Sequence, residues 1–309
     1  MKLPVHLNAL RAFEASARHG SFSGAAGELN VSAAAVGQLV RTLEEWLGAP
    51  LFHRAVTGRS RLAPTETAQR ALPHIRAGLE RLSLGLESLK EGGIRATLTV
   101  TVSPAFAAKW LLPRIHRFHT MIPDMDVRLE TSLELSDFAA QGIDVGVRYG
   151  AGHWPGLMVE RLMDEEVYPV GSPGLADRFL EPADLLGETL IHDLSVDPYA
   201  GFITWEQWLA RAGAGAVISS GRGLHINSSA AVLQAAIEGQ GIALARSVMA
   251  HDDLASGRLV RLFPKFALAS TLAYYVVYRP ECAELPKLLS FKEWLFDEVA
   301  ATTAGDHGQ

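Results

Sequence analysis

The apolar pattern of this 309-residue chain changes period once, near Ile94, and that change constrains the fold more than any other feature. Before it, apolar residues recur three and four apart, the spacing of amphipathic helices. After it, short runs of apolar residues alternate with helical stretches, the mark of an α/β body. Two such regimes suit about two domains at roughly 150 residues each.

The helical part is punctuated. Leu7, Leu10, Phe13 and Ala17 form one apolar face, and Gly20 closes that helix. Ser21 caps the next, with Phe22, Ala25, Ala26 and Leu29 as its face. Asn30-Val31 makes a tight connection, Ser32 caps a third helix with Val36, Leu39, Val40, Leu43 and Leu47 inward, and Gly48 ends it. Any small helical bundle would read the same to this point. The continuation Pro50-Leu51-Phe52-His53-Arg54, Thr57-Gly58-Arg59-Ser60-Arg61 and Leu62-Ala63-Pro64-Thr65 predicts a short basic hairpin beside a helix-turn-helix. From Thr65 to about Leu89 a long helix carries Ala68, Leu72, Ile75, Leu79, Leu82, Leu86 and Leu89 in a coiled-coil-like seam. That seam is expected to pack on a second copy, with the C-terminal part of the same chain as the alternative.

Beyond Ile94, strands are expected at Thr97–Val102, Val127–Thr131, Ile143–Val147, Leu190–His192, Leu224–Ile226, Ile242–Leu244 and Leu272–Tyr278, with a last helix from about Leu285 to Ala300. Two α/β lobes crossed by two chain segments enclose a cleft, where small ligands bind.

Charge divides at the same boundary. Residues 1–92 hold 11 Lys and Arg against 8 Asp and Glu, a surplus of three positive charges; the rest holds 17 against 26, a surplus of nine negative ones. A basic head suits an anionic partner, although so small a surplus is also a common accident. Hydrophobic residues at 48% and charged residues at 20% exclude wholesale disorder. No apolar run approaches the roughly 18 residues of a membrane span. The N-terminus lacks an uninterrupted apolar signal core, so a cytoplasmic protein is expected.

The one cysteine, Cys282, excludes an internal disulfide and a Cys-rich zinc site but leaves an intermolecular disulfide open. Eleven histidines invite a metal, yet no His-x-x-x-His pattern occurs. His116 and His119 share a helix face but make only two ligands, where a structural zinc needs four. His251-Asp252-Asp253 reads as a loop or helix-start cluster of the same standing. No nucleophile elbow, P-loop or dinucleotide fingerprint is present, so no catalytic residue, metal or cofactor is expected.

Leu7–Ala15, Gly20-Ser21-Phe22-Ser23, Ala25-Ala26, Leu29, Val31-Ser32, Leu43-Glu44 and Leu47–Arg54 together resemble the LysR-type transcriptional regulators. In the body, Pro104–Ala107, Trp110-Leu111, Pro113-Arg114, Tyr149-Gly150, Trp154–Leu157 and Val232–Gly241 resemble the glycine-cleavage-activator-like branch. The resemblance implies an α/β protein with an all-α N-terminal part: a winged helix-turn-helix domain at 1–63, a dimerisation linker helix at 64–92 and a two-lobed, type 2 periplasmic-binding-protein-like effector domain at 93–302. Lobe 1 is expected at about 93–165 and 266–302, and lobe 2 at about 166–265. Implied partners are promoter DNA, a small-molecule effector (an amino acid or other carboxylate) and further copies in a homodimer or homotetramer, with RNA polymerase open as another.

The third helix departs from that family. Where relatives usually carry Thr-Gln-Ser-Ala-Val-Ser-Arg-Gln, this chain has Ser32-Ala33-Ala34-Ala35-Val36-Gly37-Gln38-Leu39. Ala33, Ala34, Gly37, Gln38 and Arg41 are expected on one open face. Gln38 can pair an adenine bidentately, whereas Ala33 and Ala34 can only touch thymine methyls. Ser21, Ser23 and Ser32 suit phosphates, and Arg54, Arg59 and Arg61 suit phosphates or the minor groove. Specificity would then lean on DNA shape. The bare face also motivates an alternative: a small-molecule-binding protein with a weakened or non-specific DNA module. An enzyme on the binding-protein fold is disfavoured because no paired nucleophile and base is present.

For the effector, Ser103 after the first strand and Asn227, Ser228 and Ser229 at a helix start are expected to face each other across the cleft. Ala105 stands where many relatives carry a hydroxyl. Arg148 and Tyr149 end the third strand and are further candidates, Arg148 with an ion pair as the equal alternative. His192 and Trp205 are weaker ones.

Overall fold

In the computed structural model, the described residues are 7–53, 62–90, 96–134, 137–176, 178–185, 187–196, 200–214 and 223–306. The chain forms two compact units, Met1–Ile94 and Arg95–Gln309.

The first unit is built by its punctuation. Helix α1 (Leu7–His19) ends at Gly20, whose φ of 65° is the left-handed conformation glycine adopts without strain. Ser21 caps α2 (Phe22–Leu29) by accepting from the Gly24 amide, and left-handed Asn30 closes it. Ser32 caps α3 (Ala33–Leu47) through the Ala35 amide, and Gly48 ends it. The faces so fixed converge on Phe13, Ala25, Val36, Val40, Leu43 and Phe52. Phe13 is fully buried and meets Phe52 edge-on at 5.5 Å; such burial contributes about 1.5–3 kcal/mol. Two expected core positions differ. Leu7, at the start of α1, and Leu47, a turn past the last buried residue Leu43, are both exposed. The base of the hairpin is formed: Phe52 bridges Pro64 antiparallel, and the His53 amide donates to the Ala63 carbonyl at 2.9 Å.

Helix α4 (Glu66–Lys90) corrects the seam expectation for its first half. Ala68, Leu72 and Ile75 pack on the head's own core, and Arg76 donates to Glu14 of α1 at 3.0 Å. Farther along, Leu82 and Leu86 are exposed.

The second unit holds two sheets. One contains β1 (Ala96–Val102), β2 (Met125–Thr131), β3 (Val145–Gly150), β4 (Met158–Met163) and β11 (Ala273–Tyr278) in the order β2-β1-β3-β11-β4. The other contains β5 (Glu166–Gly171), β6 (Leu190–Asp193), β7 (Gly223–Ile226), β8 (Ile242–Arg246) and β10 (Leu268–Ala269) in the order β10-β5-β8-β6-β7, with β9 (Val260–Arg261) also on β5. The parallel core strand β1 is buried on both faces from Leu98 to Val102, as a sheet covered on both sides requires. Helices α5 (Pro104–Phe106), α6 (Ile115–Met121), α7 (Trp205–Arg211), α8 (Ser229–Ile237), α9 (Ser247–Ala255) and α10 (Pro286–Asp306) complete the unit, with a π-helical turn at Ala107–Leu111 after α5.

The chain leaves the first sheet after Met163 and returns after Ala269. The return falls later than the expected 266, because Leu268-Ala269 still pairs with β5. At the crossing the Ser270 amide donates to the Glu165 carbonyl at 2.8 Å. Strands β4 and β5 were not expected; Met158–Met163 lacks the strict alternation that marks a strand in sequence. Among the described residues no helix is long and apolar enough to cross a membrane.

Candidate DNA-reading face and effector cleft

On the head, Ser32, Ala33, Ala34, Gln38 and Arg41 are exposed along α3, and Ser23 is exposed in the first turn of α2. The Ser21 and Ser32 hydroxyls are occupied as caps, accepting at 3.0 and 3.2 Å. Arg41 donates to the Gln38 side-chain oxygen at 3.0 Å, holding the one amide of this face in a defined orientation. Gly37 does not belong to the open face. It is buried, and a Cβ there would meet the Phe22 ring and the Arg41 guanidinium at 3.9 Å, an ordinary contact. Arg54, Arg59 and Arg61 lie outside the described residues.

In the second unit, Ser103 caps α5, accepting from the Phe106 amide at 3.2 Å, and Ser228 caps α8. Helix α5 packs against α8, which brings Ser103 and the Ser228-Ser229 turn to the same interface between the sheets. Ala105 is buried there, and Asn227 is exposed. Ser229 is the centre of a polar chain. Its hydroxyl donates to Asp193 and accepts from Arg246 at 2.9 Å, and Ser195 approaches at 3.1 Å. The Arg246 guanidinium lies 5.0 Å from the Tyr149 ring centre and 5.8 Å from that of Phe202. The Tyr149 hydroxyl bonds Ser270 at 2.9 Å, and its ring tilts against Tyr274 at 4.8 Å. Burial pushes the Tyr149 pKa up to about 12.

Glu165 sits beneath this group, buried, at the first crossing between sheets. Its carboxylate accepts from the Ser247 hydroxyl and, at 2.9 Å, from the Val248 amide, so it caps α9. Burial raises the pKa of both Glu165 and Tyr274.

Arg148 is not part of the cleft. Neighbours along a strand face opposite sides, and Tyr149 occupies the cleft side. Arg148 instead donates to the Ser132 carbonyl at 3.0 Å and to the Thr101 hydroxyl at 2.9 Å, and its burial lowers its pKa. Trp205 is likewise a core residue, its indole donating to the Ile191 carbonyl at 3.0 Å. His192 stacks on His225 at 4.5 Å, ring on ring, across β6 and β7.

Comparison with known proteins fits this geometry. Residues 7–69 match the family model "Bacterial regulatory helix-turn-helix protein, lysR family", and residues 91–300 match "LysR substrate binding domain". The chain belongs to the LysR family. It is 40% identical over 298 residues to the glycine cleavage system transcriptional activator of Escherichia coli (strain K12), covering 96% of this chain and 94% of that one. It is 37% identical over 299 residues to the transcriptional activator AmpR of Pseudomonas aeruginosa, covering 97% of each. The solved effector domain of that AmpR superposes with a TM-score of 0.57 at 32% identity, covering 69% of this chain and 99% of that one. This LysR-type protein is a DNA-binding transcriptional regulator with a small-molecule effector domain, and these relatives are regulators rather than enzymes.

Sequence reasoning on this LysR chain missed Arg246, Asp193, Glu165, Phe202 and Tyr274. One signal was available: Arg246 ends the wholly apolar run Ile242-Ala243-Leu244-Ala245, and a charge there sits at a strand-to-helix turn. The other four join the site only through long-range pairing. His251-Asp252-Asp253 lies in the second half of α9, not in a loop or at a helix start. Cys282 is fully buried and burial pushes its thiol pKa up, so an intermolecular disulfide would first require unfolding. Among the described residues no group of three or more potential ligands could hold a metal ion.

Proposed function

We propose that this LysR-type regulator works in the cytoplasm as a dimer or tetramer, with α3 in the major groove of a promoter operator and a small amino acid or carboxylate in the cleft. The functional division we read runs 1–63, 64–92 and 93–302. Ser21, Ser23 and Ser32 meet phosphates through hydroxyl and backbone N–H groups, as do Arg41 and the wing arginines Arg54, Arg59 and Arg61. Gln38 reads a base edge, and Ala33 and Ala34 touch thymine methyls. The exposed Leu82 and Leu86 of α4 meet a second copy. RNA polymerase is a further partner if the chain activates.

The observation that carries the effector reading is the half-buried guanidinium of Arg246 at the start of α9, beside Ser229 in the first turn of α8. Among the described residues that guanidinium donates one hydrogen bond, which leaves N–H groups for a ligand's carboxylate. Asp193 lies on the other side of Ser229. Its Oδ1 accepts from both the hydroxyl and the amide of Ser195, whereas its Oδ2 accepts from Ser229 and keeps a second lone pair for a ligand's ammonium. An α-amino acid fits both ends; Tyr149 and Phe202 supply an apolar wall. Ser103, Ala105, Asn227 and Ser228 line the opening. Ligand binding then shifts the two lobes, and the shift changes how the dimer holds and bends DNA.

Thermal melting of the full-length chain against amino acids, the matching simple carboxylates and the matching amines tests the effector class. At least one amino acid is expected to raise the melting temperature more than either matched analogue. A shift given only by uncharged ligands overturns the reading. Footprinting on the intergenic region beside the gene tests the DNA half; no protection at low salt overturns it.

A further inference from the structure

The elements that open at the cleft are joined again at their far ends. Ser103 starts α5, which runs through the π-helical turn Ala107–Leu111 to Arg114. Arg246 precedes α9 as its N-cap, and Asp252 and Asp253 lie in the second half of that helix. The first path belongs to the sheet of β1, the second to the sheet of β5 and β8, on which α9 packs. Lys109 bonds Asp253 at 3.0 Å, and Arg114 grips Asp252 with two bonds of 2.8 and 2.6 Å. Three of these side chains are withdrawn from water, Asp253 at 2% exposed, Arg114 at 10% and Lys109 at 16%, while Asp252 is 33% exposed. The Arg114 guanidinium also covers the Trp110 ring at 4.9 Å and donates to the Trp110 carbonyl, which fixes its direction. The π turn widens the helix where Lys109 leaves it, a distortion common at functional positions.

Apolar packing does not seal the space beside these pairs. A cavity of about 530 Å³ opens there, lined by Ala108, Lys109, Gln234, Met249, Asp253 and Arg258. The two layers are thus held on this side by ion pairs next to open space. Ion pairs of this kind add little net stability for the desolvation they cost, while their charge-assisted hydrogen bonds hold the two layers in one geometry.

We propose that Lys109–Asp253 and Arg114–Asp252 form a lock between the two lobes, one that holds them closed and so sets how readily the cleft admits its ligand. The inference rests on the proposed function only in taking the interface around Ser103 and Arg246 as the ligand's entry. Arg258 provides an internal control. It pairs with the same Asp253 carboxylate from within the second lobe, so it touches the lock without bridging it. Because Arg258 remains, Asp253 keeps a cation when Lys109 is lost.

The test is amide hydrogen exchange on the full-length chain without ligand, so its result does not depend on which effector fills the cleft. Lys109→Met combined with Asp252→Asn is expected to speed exchange at least tenfold in Phe106–Leu111 and Ser229–Leu233, leaving β1 and β11 within twofold of wild type. Arg258→Met and the charge-keeping Lys109→Arg are expected within twofold everywhere. If the double variant matches Arg258→Met, the lock does not bridge the lobes. If it speeds exchange equally in β1 and β11, the pairs serve general stability. Either result overturns the proposal.

Discussion

On α3, Ser32 accepts from an amide three residues away, whereas in the cleft Ser229 joins an arginine 17 residues away to an aspartate 36 residues away. The two regions use the same residue type under opposite constraints. A cap is a local device that works wherever the helix starts, so the DNA-reading face can stay exposed and sparsely furnished. The cleft withdraws charge from water, so each group there has to be matched by partners that only the folded sheets deliver. Change on α3 should therefore act through what a side chain offers DNA. Change in the cleft should act through what it leaves unmatched.

The sharpest way to break the contrast is Arg246→Met. Loss of a charge-assisted bond worth about 1.5–3 kcal/mol predicts ligand binding weaker by roughly tenfold to more than a hundredfold. Calorimetry with the strongest ligand from the melting panel checks it, and binding to the operator without ligand should be unchanged. Next is Gln38→Ala, expected to cost roughly 1–3 kcal/mol of discrimination at one base position per half-site. A binding-site selection that returns the same site at the same stringency would leave α3 reading shape alone. Ser32→Ala should lower stability by about 1 kcal/mol in a urea titration, the ordinary loss of a helix cap. Gly37→Ala should raise it, by up to about 1 kcal/mol, since a Cβ there meets only ordinary contacts.

The smallest expected effect concerns acid. Burial pushes the Asp252 carboxyl up, but its bonds to Arg114 outweigh burial and hold the pKa below the usual value. A lowered carboxylate pKa gives stability that is present above the unfolded pKa and lost as pH falls through the folded one. The urea midpoints of wild type and Asp252→Asn should thus differ at pH 6 and converge in acid. A gap that widens in acid would show that Asp252 is not held as its carboxylate.

What could be read in the sequence follows the same division. Gly20-Ser21, Asn30-Val31-Ser32 and Gly48 placed three helices because stops and caps depend on the nearest few residues. The central strands were legible as apolar runs. The parity of Arg148 and Tyr149 was not, because a run buried on both faces does not say which side meets the cleft. In the sequence Glu165 is one of three consecutive acids, Asp164-Glu165-Glu166; only its 83-residue reach to Val248 makes it a buried cap. The lock is illegible for the same reason, with Lys109 and Asp253 separated by 144 residues.

Strand β11 sits between β3 and β4, and it is made more than a hundred residues after either. On a ribosome, the first sheet therefore waits with a gap while the whole second sheet is synthesised. The second lobe has all its strands by Ala269 and can settle first. A chain ending near residue 270 would carry a finished second lobe beside an open seam between β3 and β4, its unpaired backbone groups free to recruit a strand from another chain.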